Sequence, residues 1–301
     1  MGIIEVEGSS HIGKKRKINE DSFLMLNLAP EEEIGIEPFY LLAVADGMGG
    51  HIGGEFASQT AIKILKETFL KEAKSLAHFG FSRDKVFELM QQSFHQANNA
   101  IYQASDKKYF HVTMGSTLVA TFIADREALV ANVGDSRAYL LKNGKLHQIT
   151  KDHSLVELHA HKQKGEKQRL KNSALKNIIT RAIGASPHLK VDTFTESLEE
   201  NQFLMLCSDG LHGELSDKEI EEVFHHEENV GRIVKKLIKK ANQKGGSDNI
   251  TVIIAALPRE KKQQKLEGQA SLRHQPVDIK KRKKGVKIAI KLPKIFYKKR
   301  E

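Results

Sequence analysis

The sequence predicts an α+β fold in which antiparallel strands and long helices pack against each other in layers. Two observations lead to this prediction. Short β-rich segments follow one another closely, with an Asn143-Gly144 turn between two of them, as is typical of antiparallel hairpins. Two pairs of helical segments are interspersed with these strands. Because 40% of the 301 residues are hydrophobic, the chain can form a substantial core.

The elements follow in order along the chain. The first buried strand is predicted at residues 39–45, where an apolar run ends in Asp46-Gly47. Apolar residues recur with helical spacing at 55–74, and a second helix of similar length is predicted at 84–104. The remaining predicted strands span residues 116–124, 128–133, 137–141, 146–150, 203–207 and 250–257, with helices at 217–224 and 230–242 between the last two.

Charge divides the chain into a body and a tail. The formal net charge is +10, but residues 259–301 alone hold 16 Lys or Arg and 4 Asp or Glu, a net of +12, which leaves residues 1–258 at −2. A function in nucleic-acid binding inferred from the overall charge would therefore rest on the tail alone. We predict a folded domain at 1–257, with an exposed flap at 152–176, and a basic, flexible tail at 258–301.

The compartment follows from cysteine content and hydropathy. Cys207 is the only cysteine, so no intramolecular disulfide can form, and a reducing, cytoplasmic setting is expected. The N-terminus lacks the apolar stretch of a secretory signal. The longest apolar runs are far too short to span a bilayer. These features predict a soluble protein.

Four aspartates stand at the ends of predicted strands or at turns beside them: Asp46, Asp135, Asp209 and Asp248. Several carboxylates on one face repel each other unless cations neutralise them. Oxygen ligands select hard ions such as Mg²⁺ or Mn²⁺. The alternative is that these aspartates belong to ordinary turns, in which Asp-Gly and Asp-Asn are common dipeptides. That explanation is sufficient for any single aspartate but is less convincing for all four together.

Eight motifs in order make the sequence recognisable. They are GKKRKINED (13–21), VADGMGGH (44–51), MGST (114–117), NVGDSR (132–137), TKDHS (150–154), NIITRAIG (177–184), CSDGL (207–211) and GSDNIT (246–251). Together they resemble the metal-dependent serine/threonine protein phosphatases of type 2C, in the bacterial form, from about residue 5 to 257. The fold implied is a four-layer αββα sandwich of two antiparallel sheets flanked by helices.

The resemblance also implies roles for individual residues. It assigns two Mn²⁺ or Mg²⁺ ions to a site in which Asp46 bridges them, and a third, weakly held ion to Asp135. The further ligands implied are the Gly47 carbonyl, Asp209 and Asp248, with Glu20 and Asp21 acting mainly through metal-bound waters. Arg16 matches the arginine that binds the substrate phosphate, for which its planar fork is suited.

The implied reaction is hydrolysis of phosphoserine and phosphothreonine in proteins by a hydroxide held between the two ions. It needs no covalent enzyme intermediate, so no catalytic role is assigned to Cys207, which lies in an apolar run. The implied partners are phosphoproteins and an opposing bacterial Ser/Thr kinase, and a monomer is expected. Position 48 is Met where many eukaryotic members have a histidine proposed as general acid, and His51 is a candidate for that role.

Two alternatives remain open. The chain could be a binding module with a phosphatase fold and no turnover, although retention of Arg16 with the aspartates argues against this. The tail could also carry the function through residues 280–284, a run of five basic residues that could bind an anionic membrane, nucleic acid or an acidic protein. A solvated extension, and addition of residues 286–292 to a sheet edge, are further interpretations of the tail.

Overall fold

A computed structural model describes residues 4–28, 39–107, 114–160 and 178–257 of the protein. These residues lie in one compact unit and contain two β-sheets, in which every strand pairing is antiparallel. The tail at 258–301 lies outside the described residues, and so do residues 161–176 of the predicted flap.

The first sheet carries two long helices on its outer face. Its strands, in spatial order, are β2 (Asp21–Asn27), β3 (Tyr40–Met48), β5 (Leu118–Ala124), β6 (Glu127–Val133) and β9 (Asp192–Ser197), and the short β4 (Gly115–Ser116) pairs with the end of β3. Helices α1 (His51–Phe79) and α2 (Arg83–Lys107) pack on it. Alternation along β3 turns Leu41, Ala43 and Ala45 toward these helices.

The second sheet has the same construction. Its strands, in spatial order, are β1 (Glu5–His11), β11 (Ile250–Ala256), β10 (Phe203–Cys207), β7 (Arg137–Lys142) and β8 (Lys145–Gln148). Helix α4 (Asp209–His212) directly follows β10, and α5 (Asp217–His225) and α6 (Val230–Lys244) cover the outer face. A short helix, α3 (Leu155–Ala160), follows β8.

The inner faces of the two sheets pack against each other. Buried residues from both sheets form this central layer, including Leu42, Val44 and Val119 from the first and Leu204, Leu206 and Ile253 from the second. Strands such as β3 and β11 are therefore apolar on both faces, which is why they appear in the sequence as continuous apolar runs. The predicted four-layer αββα sandwich is confirmed.

Three strands, β1, β2 and β9, were not predicted from the sequence. Each of them lies at the edge of its sheet. An edge strand has less apolar surface to bury, and β9 alternates intermediate and exposed residues along its whole length, with Phe194 as its one large apolar side chain. Strands β1 and β9 lack the apolar run on which the other predictions were based, whereas β2 contains such a run, Phe23–Leu26, that the prediction overlooked.

The end predicted for β3 is wrong. Strand β3 continues through Asp46 to Met48 instead of ending at residue 45, because Gly47 and Met48 pair with β4. Helix α1 extends beyond the predicted 55–74 at both ends, and helix α3 forms at Leu155–Ala160 within the predicted flap. No helix among the described residues is long and apolar enough to cross a membrane.

Candidate active site

The end of β3 places Asp46 opposite Asp21. These two residues are direct partners in the β2–β3 pairing, so the strand register itself brings their carboxylates to one place. Gly47 follows, and its backbone N–H donates to the Glu20 carbonyl over 3.2 Å. A Cβ atom at Gly47 would overlap the backbone of Gly54 in the first turns of α1, so only glycine fits at this position.

The second sheet contributes Asp209 and Asp248 at the same end of the molecule. Asp209 follows β10 and Asp248 precedes β11, and these two strands are antiparallel neighbours. Ser208 and Thr251 donate from their hydroxyl groups to Asp21 Oδ2, over 2.8 and 2.6 Å. These two hydrogen bonds connect the two sheets at the acidic cluster, by which we mean Asp21, Asp46, Asp135, Asp209 and Asp248.

Asn249 holds the loop between β1 and β2 beside the cluster. Its Nδ2 donates to the carbonyls of Ile12 and Ile18, and its Oδ1 accepts from the N–H of Glu20. The loop carries Arg16, whose Nη2 lies 2.7 Å from Asp248 Oδ2 and whose Nη1 lies 3.8 Å from Glu20 Oε2. The Arg16 side chain is 47% exposed, so it can also reach a molecule approaching from solvent.

Asp135 reaches the cluster from the turn between β6 and β7. Hydroxyl groups tie this turn to β3: the N–H of Asp46 donates to Thr117 Oγ1 over 2.9 Å, and Thr117 Oγ1 lies 2.7 Å from Ser136 Oγ. His212 Nε2 donates to the Asp135 carbonyl over 3.0 Å. Burial lowers the pKa of His212 to about 3, so this imidazole is neutral and acts as a donor at physiological pH.

Four carboxylates of the cluster, Asp21, Asp46, Asp135 and Asp209, have raised pKa values. Burial is the first cause in each case, and it raises the pKa of Asp21 to about 7, that of Asp135 to about 8 and that of Asp209 to about 6, with neighbouring carboxylates adding to the effect. The pKa of Asp46 is also raised, by burial and then by Asp21 and Asp209. Interaction with the Asp46 side chain partly offsets this effect by lowering the pKa of Asp209.

The chemistry of the cluster fits hard divalent cations. One oxygen each of Asp21, Asp135 and Asp209 is buried and has no hydrogen-bond partner. Such atoms are costly unless a cation or water satisfies them. All five members donate oxygen, which suits Mg²⁺ or Mn²⁺ and not zinc. Within the described ranges, no group of three acidic, His or Cys side chains is arranged to hold a metal ion.

A cavity of about 680 Å³ opens beside Asp135 and Asp209. One wall holds a planar ion pair, in which Arg137 donates from Nε and Nη2 to the two oxygens of Asp152 over 2.8 and 2.6 Å. The third donor, Nη1, lies 2.6 Å from the Tyr139 hydroxyl. This wall is polar and rigidly held, and the cavity is large enough to admit a phosphorylated side chain together with neighbouring residues.

The structure brings the predicted site residues together, and it adds others that the sequence analysis left without a role. Three of these residues lie within the motifs quoted above. Asn249 and Ser208 are sequence neighbours of Asp248 and Asp209, and this adjacency could have indicated a supporting role. The N–H of Thr117 donates to the Asp46 carbonyl. Cys207 is fully buried, and burial raises its pKa to about 12, so it remains a thiol inside the core. The side chain of His51 lies outside the described part of the chain.

Comparison with known proteins identifies the family. Residues 7–250 match the family described as protein phosphatase 2C. The chain belongs to this family. It is 38% identical to the serine/threonine phosphatase stp of Listeria monocytogenes serotype 4b over 216 residues, which cover 71% of this chain and 83% of that protein. The resemblance found in the sequence is confirmed.

Solved structures agree with this assignment. The serine/threonine phosphatase of S. agalactiae superposes with a TM-score of 0.72 at 31% identity, and the match covers 84% of this chain and 99% of that one. The catalytic domain of PstP, solved in complex with two manganese ions, has a TM-score of 0.68 at 29% identity, with 86% and 100% covered. Both match the body of this chain, including the two sheets that carry the acidic cluster.

Proposed function

We propose that this phosphatase 2C protein hydrolyses phosphoserine and phosphothreonine in proteins, and that the acidic cluster is its metal centre. The observation that carries the proposal is the meeting of aspartates from both sheets at one point, beside the exposed cation of Arg16. Buried carboxylates are concentrated in this way where a cation compensates them. Family membership and the names of the relatives support protein Ser/Thr phosphatase activity.

The metal ligands we propose are Asp46, the Gly47 carbonyl, Asp209 and Asp248, with Asp135 for a third, weakly held ion. Glu20 and Asp21 are proposed to contact the ions mainly through metal-bound waters. When bound, two Mn²⁺ or Mg²⁺ ions supply Lewis acidity toward the phosphoryl oxygens and lower the pKa of water at the site. The PstP domain with two manganese ions supports this stoichiometry.

Arg16 is proposed to bind the substrate phosphate. Its guanidinium donates to Asp248 and has a further donor edge open to solvent, so it can turn toward a phosphoryl group without leaving the cluster. Ser208, Thr251 and Asn249 position Asp21 and Glu20 and are not required to touch the substrate. The buried thiol of Cys207 has no access to phosphorus, which is consistent with direct displacement by water.

An assay of metal-dependent hydrolysis tests this function. Wild-type protein is expected to hydrolyse p-nitrophenyl phosphate and phosphothreonine peptides with Mn²⁺, to lose activity in EDTA and to act far less on phosphotyrosine peptides. Asp209→Asn is expected to lower kcat/KM by about 10²-fold or more, because it removes one ligand charge. The matched control is Asp125→Asn, which is expected to retain activity. Asp125 is exposed and follows β5 at the end away from the acidic cluster. A folded protein without metal-dependent turnover would instead support the binding-module alternative.

The chemistry of the substrate supports a kinase partner. Phosphoserine and phosphothreonine arise by phosphoryl transfer to a side-chain hydroxyl group, so the reaction that supplies the substrate is that of a Ser/Thr kinase. We propose that the enzyme opposes such a kinase. If it does, it is expected to hydrolyse phosphothreonine peptides faster than phosphotyrosine peptides in the assay described above. Equal rates on both would contradict this pairing.

The basic tail is proposed to hold the enzyme near an anionic membrane surface. Each cation near such a surface contributes about 1 kcal/mol, so the five at residues 280–284 are sufficient for peripheral binding. Replacing all five by Gln is expected to weaken sedimentation with phosphatidylglycerol vesicles at least about tenfold and to leave hydrolysis of p-nitrophenyl phosphate unchanged. Unchanged vesicle binding, with loss of binding to nucleic acid or to an acidic protein, would assign the tail to those partners.

A further inference from the structure

A second cleft, of about 530 Å³, lies between the end of β1 and helix α6. Of the described residues that line it, three are lysines, Lys14, Lys235 and Lys239, and none is acidic. Ile238 forms an apolar part of the wall and is itself largely buried. The cleft therefore combines a cationic rim with an apolar surface.

The lysines of α6 fall into two groups. Lys236 pairs with Glu227 at 2.8 Å, Lys240 with Glu222 at 3.3 Å and Lys244 with Glu219 at 2.6 Å. Lys235 and Lys239 line the cleft, are exposed and have no ion-pair partner in the described part of the chain, and Lys239 also lines a neighbouring pocket beside Lys236 and Lys240. The helix thus neutralises the lysines on the side of α5 and leaves the cleft side positively charged.

His11 adds a ring nitrogen to the same cleft. Its Nδ1 accepts a hydrogen bond from the N–H of Gly13 over 2.9 Å. In the neutral ring Nε2 therefore carries the hydrogen and acts as a donor. Each of these groups favours an acceptor with negative charge, such as a carboxylate.

The cleft and the candidate active site share one loop. The N–H of Lys14, which lines the cleft, donates to the Gly246 carbonyl over 2.7 Å, and Lys14 stands two residues before Arg16, which contacts Asp248. Two residues span at most about 7 Å. A peptide whose phosphate lies at Arg16 therefore needs about three extended residues to reach the edge of the cleft.

The length of the cleft also sets what it can hold. Lys235 and Asn242, which lie at its two ends, are seven residues apart on α6, or about 10 Å. That distance matches about three residues of extended peptide. Beyond Lys235 the Glu7 side chain lies next to Gly231, so negative charge on the enzyme limits the site on that side.

We propose that this cleft is a docking site for acidic residues of the phosphoprotein substrate, two to five positions from the phosphorylated Ser or Thr. The inference rests on the proposed phosphatase activity and specifies its substrate class. Two unpaired lysines and the Nε2 donor of His11 recognise side-chain carboxylates, while Arg16 and the metal centre receive the phosphate. Electrostatic attraction of this kind acts mainly on KM and weakens with ionic strength.

Paired double variants on one helix test the proposal. K235Q/K239Q removes the unpaired charges, and K236Q/K240Q removes the same number from the neutralised side. Substrates are phosphothreonine peptides with three Glu residues placed on either side of the phosphothreonine, each beside a matched peptide with Gln. The wild type is expected to prefer one Glu peptide by about tenfold in kcat/KM through KM, and K235Q/K239Q to lose this preference. K236Q/K240Q is expected to retain it.

Hydrolysis of p-nitrophenyl phosphate separates docking from catalysis, since both variants are expected to match the wild type with Mn²⁺. No preference for acidic peptides in an active wild-type enzyme overturns the docking site and leaves the proposed function standing. Equal loss in both double variants also overturns it, because total charge would then be the cause. A change only in binding to anionic vesicles assigns the lysines to a membrane and overturns the proposal as well.

Discussion

Asp46→Asn is expected to lower kcat/KM for metal-dependent phosphate ester hydrolysis by about three orders of magnitude, the largest effect of any single substitution considered. Asp46 faces Asp21 across β2–β3 and interacts electrostatically with the other four carboxylates, so it occupies the centre of the cluster. Asparagine has almost the same shape, but it is uncharged and directs an NH₂ group toward the position of a cation. Steady-state hydrolysis of p-nitrophenyl phosphate over a Mn²⁺ titration measures the change.

The same substitution is expected to stabilise the metal-free protein. Asp46 is destabilised by burial and by four neighbouring carboxylates, all of which raise its pKa. Removing its charge relieves that repulsion, so the free energy of unfolding in urea with EDTA is expected to rise. Loss of activity with a gain in stability separates a ligand role from a folding role. Activity within tenfold of the wild type at saturating Mn²⁺ would remove Asp46 from the metal centre, and Asp125→Asn serves as the matched control for both measurements.

The parts of the fold that could be predicted from the sequence are those marked by a local pattern, such as a continuous apolar run. Strands β10 and β11 are buried on both faces, and the structure places them within one residue of prediction. The edge strands β1 and β9 have no apolar run, and only pairing with their neighbours makes them strands. The loop between β1 and β2 adopts its conformation through Asn249, which lies more than two hundred residues away in sequence.

A similar limit applies to the site. Motif residues with a chemical function, such as Asp46 and Asp209, were predicted because aspartates at strand ends are conspicuous. Residues that act by holding others, such as Ser208 and Thr251, become visible only when the two sheets meet at Asp21. The lysines of α6 look equivalent in the sequence, and it is the acidic residues of and after α5 that divide them into paired and unpaired groups.

Metal-free protein is expected to lose stability as the pH rises from about 4 to about 8. The pKa values of Asp21, Asp135 and Asp209 are raised from the ordinary value of 3.8 to about 7, 8 and 6. Over this range the folded state holds protons that the unfolded state has released, so stability falls with increasing pH. Thermal unfolding in EDTA at several pH values measures the slope. A rise in Tm over this range would contradict the raised pKa values.

Mn²⁺ is expected to reverse this dependence, because a cation binds the ionised carboxylates and competes with their protons. Ligand at one hundred times its dissociation constant adds about 2.7 kcal/mol to the free energy of unfolding, and protonation of the site at pH 5 weakens the binding and reduces that gain. The increase in Tm caused by Mn²⁺ is therefore expected to be several degrees at pH 8 and small at pH 5. Asp46→Asn is expected to abolish most of the increase at pH 8 and to flatten the slope in EDTA. If Mn²⁺ stabilised this variant as much as the wild type, the ion would bind elsewhere, and the acidic cluster would not be the metal centre.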